Sequence, residues 1–208
     1  LCERIERAAL LRAVRILAKR AHPSEQDADT VALSKFCAED TTLLHTVCDS
    51  SDDGIGWILD TAEQLAAGGS SAMAHTEDNP PAYIESVFNY FGDTGGEREG
   101  FPIRSLTDTS EMLFPQPLAD LQEAERGYQQ ISEDIAARFT RKSPAQMPLG
   151  ELLRVIEETM SYVPSPAGAD ISLYDYARMT AAYAAALHRY AAAQDIHSAH
   201  TYEERGGE

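Results

Sequence analysis

From Leu173 to Ala191, small or apolar residues recur at alternating spacings of four and three: Leu173, Ala177, Thr180, Ala184, Leu187 and Ala191. An α-helix gathers such positions onto one face, because its side chains come round about every 3.6 residues. Tyr176, Tyr183 and Tyr190 run beside them at intervals of seven. The many alanines leave little bulk between this helix and whatever packs on it, so it is expected to be central to a helical assembly. The rest of the chain must supply partners for that face.

The same periodicity predicts those partners. A first helix is expected over 2–21, with Leu10, Val14 and Leu17 on one face and Arg12, Arg15 and Lys19 as a neighbouring charged stripe. A weaker one is expected over 29–48, carrying Leu33, Phe36, Leu44 and Val47. Ile55, Ile58, Leu59, Ala62, Leu65 and Ala66 give a third, stopped at Gly68-Gly69. Residues 69–80 read as a loop, and Pro80-Pro81 as the start of a short helix through Tyr90, ended by Gly92. Residues 92–117 are rich in glycine and proline. They are expected to form an irregular crossover packed by Phe101, Ile103, Leu106, Leu113 and Phe114. Helices follow from Leu118 to Phe139 and from Leu149 to Met160, and the tail from Ser198 is expected to fray. No segment alternates with the period of a strand. The expected fold is all-α, an orthogonal bundle of about seven helices.

Charge narrows the function. The net charge is −17 and uneven: residues 1–20 carry six basic groups, whereas 21–60 carry nine acids against Lys35. An acidic surface repels phosphate, so little direct nucleic-acid binding is expected. The basic first helix is the exception, either touching an acidic partner or presenting a solvated face. Cys2, Cys37 and Cys48 form no C-x-x-C pair and read as thiols in a reducing compartment. Charges interrupt the apolar core that a secretion signal would need. No apolar run approaches the roughly 18 residues of a membrane span. A cytoplasmic protein without a membrane segment is expected. No phosphate-binding loop, nucleophile elbow or H-E-x-x-H zinc motif is present. Asp52-Asp53-Gly54 reads as a helix-entry turn, since the other ligands of a calcium loop are missing. The three tyrosines could stack bases, although heptad spacing more often marks a core or an interface.

Several segments resemble one family, in order. Asp170-Ile171-Ser172-Leu173-Tyr174-Asp175-Tyr176, running into Thr180-Ala181-Ala182, resembles the segment that closes the HD domain in the large subunit of type III-A (Csm-type) CRISPR–Cas complexes. Tyr162-Val163-Pro164-Ser165 resembles that family's Phe/Tyr-Val-Pro-Ser turn, and Val87-Phe88-Asn89-Tyr90-Phe91-Gly92 its Phe-Asn-x-Phe-Gly element. Ala62-Glu63-Gln64-Leu65-Ala66-Ala67-Gly68 resembles its Ala-Asp-x-Ile-Ala-Ala-Gly helix, and Ala9-Leu10-Leu11 through Arg20-Ala21 its opening helix. The resemblance implies an HD-domain-like fold: a degenerate helical core over 1–91, a crossover over 92–117, helices completing the bundle over 118–197 and a tail over 198–208. It also implies partners, namely a palm (GGDEF-like) portion of the large subunit and other type III effector subunits with crRNA.

The family's chemistry is metal-dependent cleavage of single-stranded DNA, in which His and Asp ligands hold ions that activate water. Here the matching positions diverge. Arg12-Ala13 stands where the resemblance implies His-Asp, Cys48-Asp49 where it implies His-His, and Glu63 where it implies Asp. For the loop histidine only Gln26, Asp27 and Asp29 are available. Arginine has no lone pair to offer a cation. The expectation is therefore no catalytic residue, no cofactor and no metal site, with a rearranged site from His45, Cys48, Asp49 and Glu63 left open. His22, His75, His188, His197 and His200 are expected to be solvated or structurally bonded. Two functions remain. One is a non-catalytic structural module of a type III large subunit, as a split or degenerate subunit or as a fragment, ending where the first palm domain would begin. The other is an acidic helical interaction or regulatory protein without a CRISPR role.

Overall fold

The computed structural model describes residues 2–22, 41–49, 51, 54–68, 83–86, 89, 98–106, 114–117 and 121–204 (backbone alone at 121, 203 and 204). Among these residues seven helices carry the fold: α1 Cys2–Ala21, α2 Thr41–Cys48, α3 Gly56–Ala66, α4 Leu121–Arg141, α5 Leu149–Met160, α6 Leu173–Gln194 and α7 Ala199–Glu204. Five short strands accompany them. β1 Ile84–Glu85, β2 Glu99–Phe101 and β3 Gln116–Pro117 form an antiparallel sheet in that order, with Ile84 opposite Phe101 and Gly100 opposite Gln116. β4 Pro164–Ser165 and β5 Gly168–Ser172 form a hairpin between α5 and α6. The all-α expectation holds for the framework. The strands went unread because two to five residues are too few to display a period of two.

The centre of the bundle is α1. Ile5, Ala8, Ala9, Leu10, Leu11, Ala13, Val14, Leu17 and Ala18 are all buried, and the helix packs against α2, α4, α5 and α6. The sequence points to the alanine-rich helix as central, and α6 does pack against α1, α3, α5 and both strands of the β4–β5 hairpin. It buries Leu173, Tyr176, Ala177, Thr180, Ala184 and Ala191 and exposes Arg178, Met179 and Tyr190 on its other side, whereas α1 is buried along more of its length. Alanine at positions 177 and 184 permits the close approach of α6 to α1 and α3. On α1, alanines between the larger side chains allow neighbours on nearly every side.

Element ends follow local chemistry. Gly68, with φ +80°, ends α3, and the amide of Ala67 donates to Glu63 O at 3.0 Å. Ser172 caps α6: its hydroxyl accepts from the Asp175 amide at 2.9 Å and donates to the Asp175 carboxylate at 2.8 Å. At the other end of α6, Asp195 adopts a left-handed φ of 56°.

Three local expectations change. Residues 84–85 are a strand where a short helix was expected, paired with β2 and supported by the Ser86 amide donating to Glu99 O at 3.0 Å. Among the described crossover residues, Ile103 is buried and the Phe101 ring packs on Tyr162 with centroids 5.3 Å apart, whereas Leu106 and Phe114 lie exposed; Leu113 falls outside the described residues. Residues 199–204 form a helix rather than a frayed tail, because the Tyr202 ring packs on Trp57 with centroids 5.5 Å apart. Of the expected 29–48 helix, 41–48 is present and 29–40 lies outside the described residues, as do the 69–80 loop and His75.

Ala184 is fully buried where α6 meets α1 and α3. Ala184→Leu is expected to destabilise the fold by about 1–3 kcal/mol through overpacking, read as a lower urea midpoint with an unchanged slope.

Candidate functional site

The basic residues of α1 are drawn into the structure and serve as staples. Arg4 donates to Thr42 O at 2.8 Å and to Thr46 Oγ1 at 2.9 Å, gripping α2. Arg7 is buried and donates to Pro144 O at 2.5 Å and Met147 O at 2.6 Å, fixing the turn between α4 and α5. Arg20 donates to Pro164 O in β4 and lies over the Tyr128 ring, 5.9 Å from its centroid. Of these cations Lys19 alone is exposed, as a solvated face requires.

Arg12 forms the most enclosed of these centres. It is 3% exposed and sits where α1, α2 and α3 meet. Its Nε donates to Val47 O at 3.1 Å, and Nη2 donates to Asp49 O. Nη1 donates to Asp60 Oδ1 at 2.5 Å and to Glu63 Oε2 at 3.1 Å. The two carbonyls belong to the C-terminal end of α2, where a helix leaves acceptors without internal partners and carries partial negative charge. The two carboxylates stand one turn apart on α3, which places them on the same side of that helix. Arg12 thus answers the negative end of α2 and both acids of α3, with Arg15 adding a second positive charge that acts on Glu63.

Burial sets the electrostatics. Desolvation pushes the Glu63 carboxyl above the ordinary glutamate range; Arg12 opposes this, while the charge of Asp60 adds to it. The Tyr176 phenol is driven well above its usual range, by burial first and by Glu63 second. Its hydroxyl donates to Glu63 O at 3.4 Å.

The residues considered for a rearranged metal site are placed apart. His45 is exposed on α2, and Cys48 is half-buried at the end of that helix. Asp49 turns its carboxylate to the Ser51 amide at 3.0 Å, and Glu63 faces Arg12. Among the described residues no three His, Cys, Asp or Glu side chains are grouped so as to hold an ion. The metal that the family resemblance implies does not fit the residues present, because a guanidinium lies between the carboxylates that would have to receive it. His22 is exposed, His188 is half-buried, and His197 lies 3.0 Å from the Asp195 carboxylate. His200 is exposed at the surface of α7, and Asp52 and Asp53 lie outside the described residues. Tyr176 is buried, Tyr183 half-buried and Tyr190 exposed, so the heptad tyrosines run from core to surface.

Sequence reasoning passed over Asp60. Its signal was available: an acid three residues before Glu63, in a helix whose neighbouring residues are apolar. Several described residues of the segments carrying the family resemblance make structural contacts. Ser172 and Asp175 are the cap of α6. Val163 O accepts the Leu173 amide at 2.6 Å, beside the β4–β5 hairpin. Asn89 clamps β2 by giving Nδ2 to Glu99 O at 2.7 Å and accepting the Glu99 amide at 3.0 Å.

No protein-family profile matches the chain. It is 29% identical over 140 residues to the CRISPR system single-strand-specific deoxyribonuclease Cas10/Csm1 (subtype III-A) of Mycobacterium tuberculosis. That alignment covers 62% of this chain and 17% of the relative, so the chain spans a small part of the relative's length. The likeness supports a relationship to type III CRISPR large subunits. No described helix is long and apolar enough to cross a membrane.

Because the folded state raises the Glu63 pKa, it holds that proton more tightly than the unfolded chain. The stability this contributes is present below the unfolded pKa and is lost as pH rises through the folded value. As pH rises above the ordinary glutamate range, wild type is expected to lose stability relative to Glu63→Gln, as measured by urea denaturation at each pH.

Proposed function

We propose that this chain is a non-catalytic, HD-like structural module of the large subunit of a type III CRISPR–Cas effector. In this reading it acts in the cytoplasm, packs against the palm (GGDEF-like) portion of that subunit, and supports assembly of a crRNA-guided interference complex. Residues 1–91 would be the degenerate HD-like core and 118–197 the helices completing the bundle.

The observation that carries the reading is the Arg12 junction. Metal-assisted hydrolysis needs several lone-pair donors around an open coordination position. Here Asp60 and Glu63 face a buried guanidinium, and the remaining acceptors are the helix-end carbonyls of Val47 and Asp49. The likeness to Cas10/Csm1 supports the complex, and the cap, clamp and hairpin that match the family motifs support the retained scaffold.

The acidic interaction protein remains the second reading, favoured by the net charge of −17. Two measurements test the proposal. Purified protein is expected to leave single-stranded DNA uncut in manganese or nickel, and manganese- or nickel-dependent cleavage that the Glu63→Gln variant loses would refute the non-catalytic part. Affinity purification from the native host is expected to recover type III subunits with crRNA. Recovery of other partners without them would favour the second reading.

A further inference from the structure

Four oxygens on two elements surround the Arg12 side chain: Val47 O, Asp49 O, Asp60 Oδ1 and Glu63 Oε2. Both carboxylate oxygens converge on the same nitrogen, Nη1, at 2.5 and 3.1 Å. This nitrogen belongs to a side chain that is 3% exposed. Two carboxylates and two carbonyls are the hard oxygen donors that calcium or manganese accept.

We infer that the junction of α1, α2 and α3 is an oxygen-lined cation site filled by the protein's own guanidinium, so that Arg12 supplies the cross-linking charge that a bound divalent ion would otherwise supply. Three features support this. The acceptors come from α2 and α3 while the cation comes from α1, as a bridging ion would require. Acids one turn apart on α3 would repel each other across the junction without a positive charge between them. The Asp60 side chain is 37% exposed, which leaves a path from solvent to the Nη1 position once the guanidinium is gone. The inference rests on this geometry alone and holds whether or not the chain serves a CRISPR complex.

It gives the wild type and an Arg12 variant opposite responses to metal. Wild type is expected to bind no manganese at this junction, and its melting temperature to be unmoved by chelator or by millimolar manganese. Arg12→Ala leaves both carboxylates and both carbonyls facing an empty volume. It is expected to melt at a lower temperature and to bind one manganese ion, seen by electron paramagnetic resonance, with Kd of about 10⁻⁴ M, the weak end of oxygen-ligand sites. At about 1 mM manganese its melting temperature is expected to rise by roughly 3–5 °C. Binding and rise should both vanish when Asp60→Asn and Glu63→Gln are added. Should Arg12→Ala fail to fold in either condition, Arg12→Gln, neutral and closer in size, takes its place with the same expectation. Absence of carboxylate-dependent binding in whichever variant folds, or stoichiometric carboxylate-dependent binding by the wild type, overturns the inference.

Discussion

A charge in a protein interior must be matched on every side that has lost water, and this requirement organises the molecule around Arg12. Its guanidinium is planar, permanently charged and able to donate in several directions at once, so it can answer a helix end and two acids together. The position and pitch of α2 and α3 against α1 are set by where those oxygens must lie. Lysine, a single ammonium on a flexible stem, could not span Val47 O, Asp49 O and the α3 carboxylates in the same geometry.

The same logic extends along α1. Arg4, Arg7 and Arg20 each end on a carbonyl of another element: α2, the α4–α5 turn and β4. Between these charged contacts the helix presents alanine, leucine, isoleucine and valine, and so packs as a core helix despite its basic composition. The stem of an arginine fits an apolar groove while its head reaches the backbone of the far element. The chain thereby joins dispersed segments through main-chain acceptors, which any residue supplies.

Helices of regular period were legible in the sequence, with α1, α3, α5 and α6 lying close to the expected bounds. The near-complete burial of α1 was not. Alternating alanines in α6 announce its close packing on α1 and α3, whereas the basic residues of α1 conceal how much of that helix is buried, which is a tertiary property. The arginines of α1 looked like a solvated stripe because sequence records their spacing and not the carbonyls they meet. Asp60 was overlooked because attention fell on Glu63, the position matching a family motif. The divergence at Arg12 was plain in the sequence, whereas what the arginine does there required the geometry. The strands were hidden by their brevity, and β3 even includes Pro117, which an edge position tolerates.

Trp57, the chain's sole tryptophan, sits one turn before Asp60 at the opening of α3 and touches Tyr202 of α7. Its indole is sealed from solvent and its Nε1 has no acceptor among the described residues. The molecule therefore contains one indole fluorophore, beside the three-helix junction and under the last short helix, which selective excitation separates from the nine tyrosines. Its emission comes from a single location, so loosening of the junction or lifting of α7 registers as a red shift without any added label.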